Sequence, residues 1–123
     1  MANEHPNISI VKKFDATDVA SSANILADDA VFHFFNPRLP DIQGDYVGVE
    51  GIQSFFKIIG ERTYGTFQVN PISITAVGDE LVVAQTKNTM ILGDKDIKTD
   101  VVAVWRVVDG QITEIWDIPS VYT

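Results

Sequence analysis

The 123 residues contain no cysteine. Disulfides, thiolate nucleophiles and cysteine-based metal sites are therefore excluded, and cysteine usage says nothing about redox compartment. Basic side chains are also scarce: nine Lys and Arg stand against seventeen Asp and Glu, for a formal net charge of −8. Lys12-Lys13 is the sole basic doublet, so nothing in the chain is built to neutralise a run of phosphates, and no nucleic-acid partner is expected. The acidic surplus reads as a solubilising surface. No apolar run approaches membrane-spanning length, and the opening MANEHPNISI lacks the basic-then-apolar pattern of a secretion signal. A cytoplasmic protein with no membrane partner is the expectation. There is neither a glycine-rich phosphate loop nor a His/Asp/Glu set at metal-ligand spacing, so no metal and no cofactor are expected.

What remains is an ordinary globular composition, 46% hydrophobic and 21% charged, in a length that fits one domain over residues 1–123. Pro6 suits a first helical turn, and Ile8, Val11 and Phe14 recur at helical spacing. Asp15 and Asp18 stand where a cap belongs, ahead of Val19, Ala23 and Leu26. Two short helices are predicted, the second closed by Asp28-Asp29. Ala30 to Phe35 (AVFHFF) follows as a strand apolar on both faces, which is buried on both sides or covers a cavity. Asn36 to Gly48 carries two prolines and reads as a loop over the mouth of the domain. Ile52, Phe55, Phe56 and Ile59 then fit the i, i+3, i+4, i+7 pattern of a helix over about Val49 to Glu61.

Phe67 to Val77 is a strand whose apolar parity switches at Asn70-Pro71, which predicts a bulge in an edge strand. Gly78-Asp79 turns into a strand over Leu81 to Leu92, and Gly93-Asp94-Lys95 turns into the hairpin of Asp100 to Ile118 (DVVAVWRVVDGQITEIWDI). Helices segregated over an antiparallel sheet make an α+β domain. The hairpin's register matters most, because a one-residue slip sends every side chain to the opposite face. A two-residue Asp109-Gly110 loop sets Val102 across from Asp117. A type I turn with Gly110 as a bulge residue sets Val101 across from Asp117 and turns Arg106 and Glu114 outward together. The second register keeps Asp117 on the more apolar face, with Val101, Ala103, Trp105 and Val107, and is favoured.

Asp28-Asp29-Ala30-Val31-Phe32, Gly44-Asp45-Tyr46-Val47-Gly48, Gly51-Ile52, Phe55-Phe56, Gly78-Asp79 and Val107 to Asp117 together resemble the SnoaL-like group of the nuclear transport factor 2-like, or ketosteroid isomerase-like, superfamily. The resemblance runs along nearly the whole chain. It implies a strongly curved, mainly antiparallel sheet packed on N-terminal helices and one middle helix to form a cone. It further implies a largely apolar pocket, a homodimer, and a function drawn from a diverse set of isomerases, cyclases, dehydratases and non-catalytic binders. Where ketosteroid isomerase places its tyrosine, general-base aspartate and hydrogen-bonding aspartate, this chain has Ile10, Phe34 and Ala103, so that reaction is not expected. SnoaL-type cyclases resemble the chain in carrying an aspartate on the last strand, at Asp117.

Asp117 is therefore the candidate general acid/base, since a carboxyl in an apolar pocket has a raised pKa suited to proton transfer beside a carbonyl. An exposed carboxylate past the sheet is the bland alternative. Asn88 would lie across from Val101 if Asp94-Lys95 is the turn, in line with Asp117 and able to bind a substrate carbonyl. Tyr46 and Arg38 on the mouth loop are candidates for a ligand's polar end. Trp105, Phe34 and Ala103 are candidate pocket wall. His33 is a candidate substrate contact, although its alternation with Phe32 and Phe34 turns it away from the pocket. Trp116, with Val102 and Val104, is read as a dimer surface. The functional expectation is a domain that binds an apolar, carbonyl-bearing small molecule, catalytic through Asp117, or else a non-catalytic ligand-binding or dimerisation module.

Overall fold

The computed structural model describes residues 4–121. Helix α1 (Pro6–Lys12) and a 3-10 helix (Val19–Ile25) lead into strand β1 (Leu26–Phe34). Strand β2 (Gly44–Val47), helix α2 (Gly48–Arg62) and the long strands β3 (Gln68–Val77), β4 (Leu81–Leu92), β5 (Lys95–Val108) and β6 (Gln111–Pro119) follow. The six strands form one curved sheet in the order β2-β1-β6-β5-β4-β3, antiparallel throughout except for the parallel β1–β6 pair. The α+β expectation holds. Among the described residues no helix is long and apolar enough to cross a membrane.

Helix α2 forms where the 3.6-residue apolar pattern is strongest. It buries Ile52, Phe55 and Ile59 on the concave side of the sheet, against Phe32 and Phe34 of β1. Helix α1 begins at Pro6 and places Ile8 and Val11 in the same core. The parity switch in β3 is a bulge: Pro71 pairs with Thr86 and Ser73 with Gln85, which leaves Ile72 unpaired. Since β3 is an edge strand, Pro71 costs the ladder no central hydrogen bond.

Three expected boundaries move. The second helix is a 3-10 helix ending at Ile25, and Asp28-Asp29 lie inside β1, exposed, beside a register shift between Leu26 and Val31. The mouth loop ends early, because Gly44–Val47 pairs with Val31 to Phe34 as β2. The Gly93 turn contains two residues, Gly93-Asp94, so Leu92 faces Lys95 and Asn88 faces Thr99 rather than Val101.

The β5–β6 hairpin corrects both registers weighed above. Asp109 and Gly110 each have a positive φ, 52° and 78°, which makes a two-residue loop with Val108 across from Gln111. The bulge lies further along, where Val107 pairs with Ile112 and Arg106 with Glu114, leaving Thr113 extra. Ile112 and Ile115, three apart, can then both point inward, and both are buried. Beyond the bulge Trp105 faces Ile115 and Ala103 faces Asp117. Asp117 thus reaches the apolar face by way of Thr113 and not Gly110. Arg106 and Glu114 do turn outward together, joined at 3.1 Å.

Candidate functional site

Two chambers occupy the concave side of the sheet. The smaller, of about 340 Å³, opens between the mouth loop and the far ends of β4 and β5. The larger, of about 950 Å³, lies between the end of α1, the bulged half of β3 and the middle of β4 and β5. Phe32, Phe56, Phe67, Asn88, Val101 and Asp117 line both, so the chambers meet at those six side chains. Phe32 and Phe56 pack edge to face, 5.4 Å between ring centres, and Phe56 continues to Phe14 at 5.8 Å. Aromatic rings from β1, α2 and the segment after α1 thus form the shared wall, while polar side chains, among them Arg38, Asp96 and Lys98 at the smaller chamber and Lys12, Asn70 and Thr86 at the larger, line much of the rest.

Asp117 is the central one. It shares its row of the sheet with Ala103 and Ala84, and these two small side chains leave open space in front of it. Burial alone, with no charged or hydrogen-bonding partner offsetting it, pushes the carboxyl up to about 7. What surface Asp117 retains faces the chambers. At neutral pH it is therefore present both as acid and as carboxylate.

Asn88 is buried, and its side-chain oxygen accepts a hydrogen bond from the Thr86 hydroxyl at 2.9 Å. That bond occupies the oxygen and leaves the amide N–H2 to donate into the cavity. Because Thr86, and not Asn88, stands across from Val101, Asn88 sits nearer the mouth than the sequence reading placed it. Trp105 lines the larger chamber, and its indole Nε1 is buried without a hydrogen-bond partner among the described residues. Ala103 lines the larger chamber, whereas Phe34 and Arg38 line the smaller.

Tyr46 and His33 lie elsewhere. The Tyr46 hydroxyl donates to the Ile42 carbonyl at 2.6 Å and its ring packs on Phe55, so it ties the mouth loop to α2 outside both chambers. His33 is on the convex face, 2.7 Å from Asp45 and 3.0 Å from Glu114, stacked on Trp116 at 5.3 Å. Burial opposes its charge, but the two carboxylates outweigh that and raise its pKa. Trp116 is covered on that face by His33 and, at 5.5 Å, by the Arg106 guanidinium.

Sequence reasoning missed Phe32, Phe56 and Phe67 as the junction of the chambers. A signal was present in Phe55-Phe56: adjacent helical residues point about 100° apart, so the pair had to cover a wide face of α2, and Phe56 reaches both chambers while still packing on Phe32. The unpartnered Trp105 N–H has no counterpart in the sequence pattern. Among the described residues no cluster of His, Cys, Asp or Glu is arranged to hold a metal ion.

The family model described as SnoaL-like domain matches residues 10–115. Bal32a, from a soil-derived mobile gene cassette, is similar over 95% of this chain and 92% of its own, with 24% identity and a TM-score of 0.83. An NTF2-like protein from Anabaena variabilis is 18% identical over 98% of this chain and 94% of its own, with a TM-score of 0.75. TerC, co-crystallised with polyporic acid, is 20% identical over 94% of this chain and 92% of its own, with a TM-score of 0.78. No curated protein is detectably similar in sequence.

Proposed function

Since the chain belongs to the SnoaL-like domain family, within the NTF2-like fold, we propose that it binds an apolar, carbonyl-bearing small molecule and moves a proton on it through Asp117. The observation that carries this reading is the position of Asp117 at the junction of two aromatic-walled chambers, without a partner to hold its charge. A carboxyl poised near neutrality is matched to proton abstraction beside a carbonyl. The carboxylate takes the α-proton, the C–H electrons move onto the carbonyl oxygen as an enolate, and the carboxylic acid returns a proton to carbon. Asn88, its amide held by Thr86, meets a carbonyl or a second polar group on the mouth side. Phe34, Ala103 and Trp105 shape the walls. Tyr46 and His33 are not part of this proposal.

Deuterium exchange at the α-carbon of 2-tetralone in D2O, followed by NMR, tests the reading. The protein should speed exchange, and Asp117→Asn should abolish the acceleration by at least about a hundredfold, the usual contribution of a positioned acid/base, while leaving ketone affinity within a factor of about two. Unaccelerated exchange with normal binding returns the domain to the rival reading, a non-catalytic binding module, which the aromatic rings at the junction of the chambers favour. As a second element of the proposal, the protein is a homodimer through the convex face, where Phe35, Ile118 and Val102 are 58%, 51% and 40% exposed.

A further inference from the structure

Asn88 and Asp117 are the two polar side chains that line both chambers, and the sheet register holds them well apart. Asp117 stands across from Ala103 on β5, and Ala103 across from Ala84 on β4. Asn88 lies four residues further along β4 from Ala84. Two strand spacings of about 4.8 Å and four residues of about 3.3 Å place the two Cα atoms about 16 Å apart on a flat sheet. Curvature toward the cavity and the inward reach of both side chains leave roughly 10–13 Å between carboxyl and amide. A single carbonyl cannot span that gap. Its oxygen is only two bonds from the α-carbon, so a ketone whose α-carbon touches Asp117 stops far short of Asn88.

Asn88 is nevertheless set up to bind something. Its side chain is buried, as is Thr86, whose hydroxyl donates to the Asn88 oxygen at 2.9 Å. That is the one hydrogen bond of the Thr86 hydroxyl among the described residues, so a flipped amide would strand the hydroxyl proton. The N–H2 group is therefore turned away from Thr86. Among the described residues, the Trp105 indole nitrogen is the one buried side-chain polar atom both unbonded and closed to water. The Asn88 amide nitrogen is unbonded too but is not closed off, so it keeps an open face in the space that both chambers share. A buried donor with space in front of it and no partner is a costly feature unless a ligand completes it.

We propose that Asn88, oriented by Thr86, binds a second oxygen of the ligand, separate from the carbonyl at Asp117 and able only to accept hydrogen bonds. This rests on the reading of Asp117 as the group that meets the ketone. With contacts of about 3 Å at each end, the gap requires roughly 4–7 Å between the carbon facing Asp117 and that oxygen, about the width of one six-membered ring. The amide presents donors and no free acceptor, so a carbonyl is favoured there over an ammonium group. The ligand class is accordingly a ring ketone carrying a second carbonyl across the ring. Thr86 is a positioning residue in this scheme, acting on the ligand only through the direction of the Asn88 amide.

The test compares 6-acetyl-2-tetralone with 6-isopropenyl-2-tetralone, which keeps the shape and replaces the acetyl oxygen by CH2. The wild-type protein should bind the acetyl compound about five- to tenfold more tightly, the worth of one neutral hydrogen bond. Asn88→Leu should bring the two affinities within about twofold. Thr86→Val, which lets the amide turn, should lose most of the preference, and Thr86→Ser should restore it. The assigned Asn88 side-chain N–H2 signals of 15N-labelled wild-type protein should shift downfield with the acetyl compound and not with the isopropenyl one, a readout that needs no variant to fold. Equal wild-type affinities, a preference that survives Asn88→Leu, or static Asn88 signals overturn the proposal. Such a failure with α-exchange still dependent on Asp117 leaves the proton-transfer reading intact. An Asn88-dependent preference without exchange does the reverse.

Discussion

Asp117 carries a stability consequence that can be read without any ligand. Its folded pKa, about 7, lies above the 3.8 of an unperturbed carboxyl, so between those values the folded chain holds a proton that the unfolded chain has released. Stability from this group therefore falls as pH rises from about 4 to 7 and is flat above. At about 1.4 kcal/mol per pH unit of separation, the loss is on the order of 4 kcal/mol. Asp117→Asn removes it. The variant should match the wild-type protein in urea denaturation at pH 4 and exceed it by about 4 kcal/mol at pH 8. Equal stabilities at pH 8 would put the carboxyl in contact with bulk water. His33, raised in the same structure, loses its own contribution as pH climbs past 6.5, but it is common to both proteins and cancels in the difference.

Between β2 and α2 the chain turns on Gly48, whose φ is +75° and where an added Cβ would stand 3.1 Å from the Asp28 carbonyl oxygen. Gly48→Ala thus meets both a strained backbone and a backbone atom of β1 that cannot swing aside. A cost of about 1–3 kcal/mol is expected, seen as a lower urea midpoint with an unchanged m-value. Helix α2 itself was legible in the sequence because four apolar positions repeat at one period and nothing competes with them. The β3 bulge was legible because proline at Pro71 and a parity switch point the same way. β2 was not, since four mostly exposed residues carry too little pattern to separate them from a loop. The start of β1 was hidden by Asp28-Asp29, which face solvent at a register shift. In the β5–β6 hairpin, Asp109-Gly110 drew attention to the turn, whereas the informative mark was Ile112 and Ile115, three apart in a strand that otherwise alternates. Both arguments put Asp117 on the apolar face, but only the Thr113 bulge does so with a type of turn that Asp109 and Gly110 actually adopt.

At the scale of the whole molecule, the proposed dimer can be tested at the convex face. Val102 and Ile118 are cross-strand partners there, and paired Val102→Lys and Ile118→Lys changes should convert a dimer to a monomer in sedimentation velocity while leaving the circular dichroism spectrum unaltered. A wild-type protein that sediments as a monomer at all concentrations would remove the dimer from the proposal. Neither substitution touches the concave face, so the cavity's ligand affinity reports independently on whether two copies are needed to form it.

The parallel pairing of β1 with β6 has one more consequence, in the order of events as the chain is made. β1 and β2 lie on one side of β6 in the sheet, and β5, β4 and β3 on the other. Until β6 emerges, a nascent chain can assemble a β1-β2-α2 piece and a β3-β4-β5 meander, but among the described residues no strand pairing joins one to the other. Joining Phe32 to Ile115 closes more than eighty residues of intervening chain, a slow step of the kind that governs folding of non-local topologies. The exposed apolar edges of β1 and β5 are vulnerable to aggregation for that interval. The strand that ends the wait is the one bearing Asp117, so the proposed proton-transfer group and the cooperative fold arrive together.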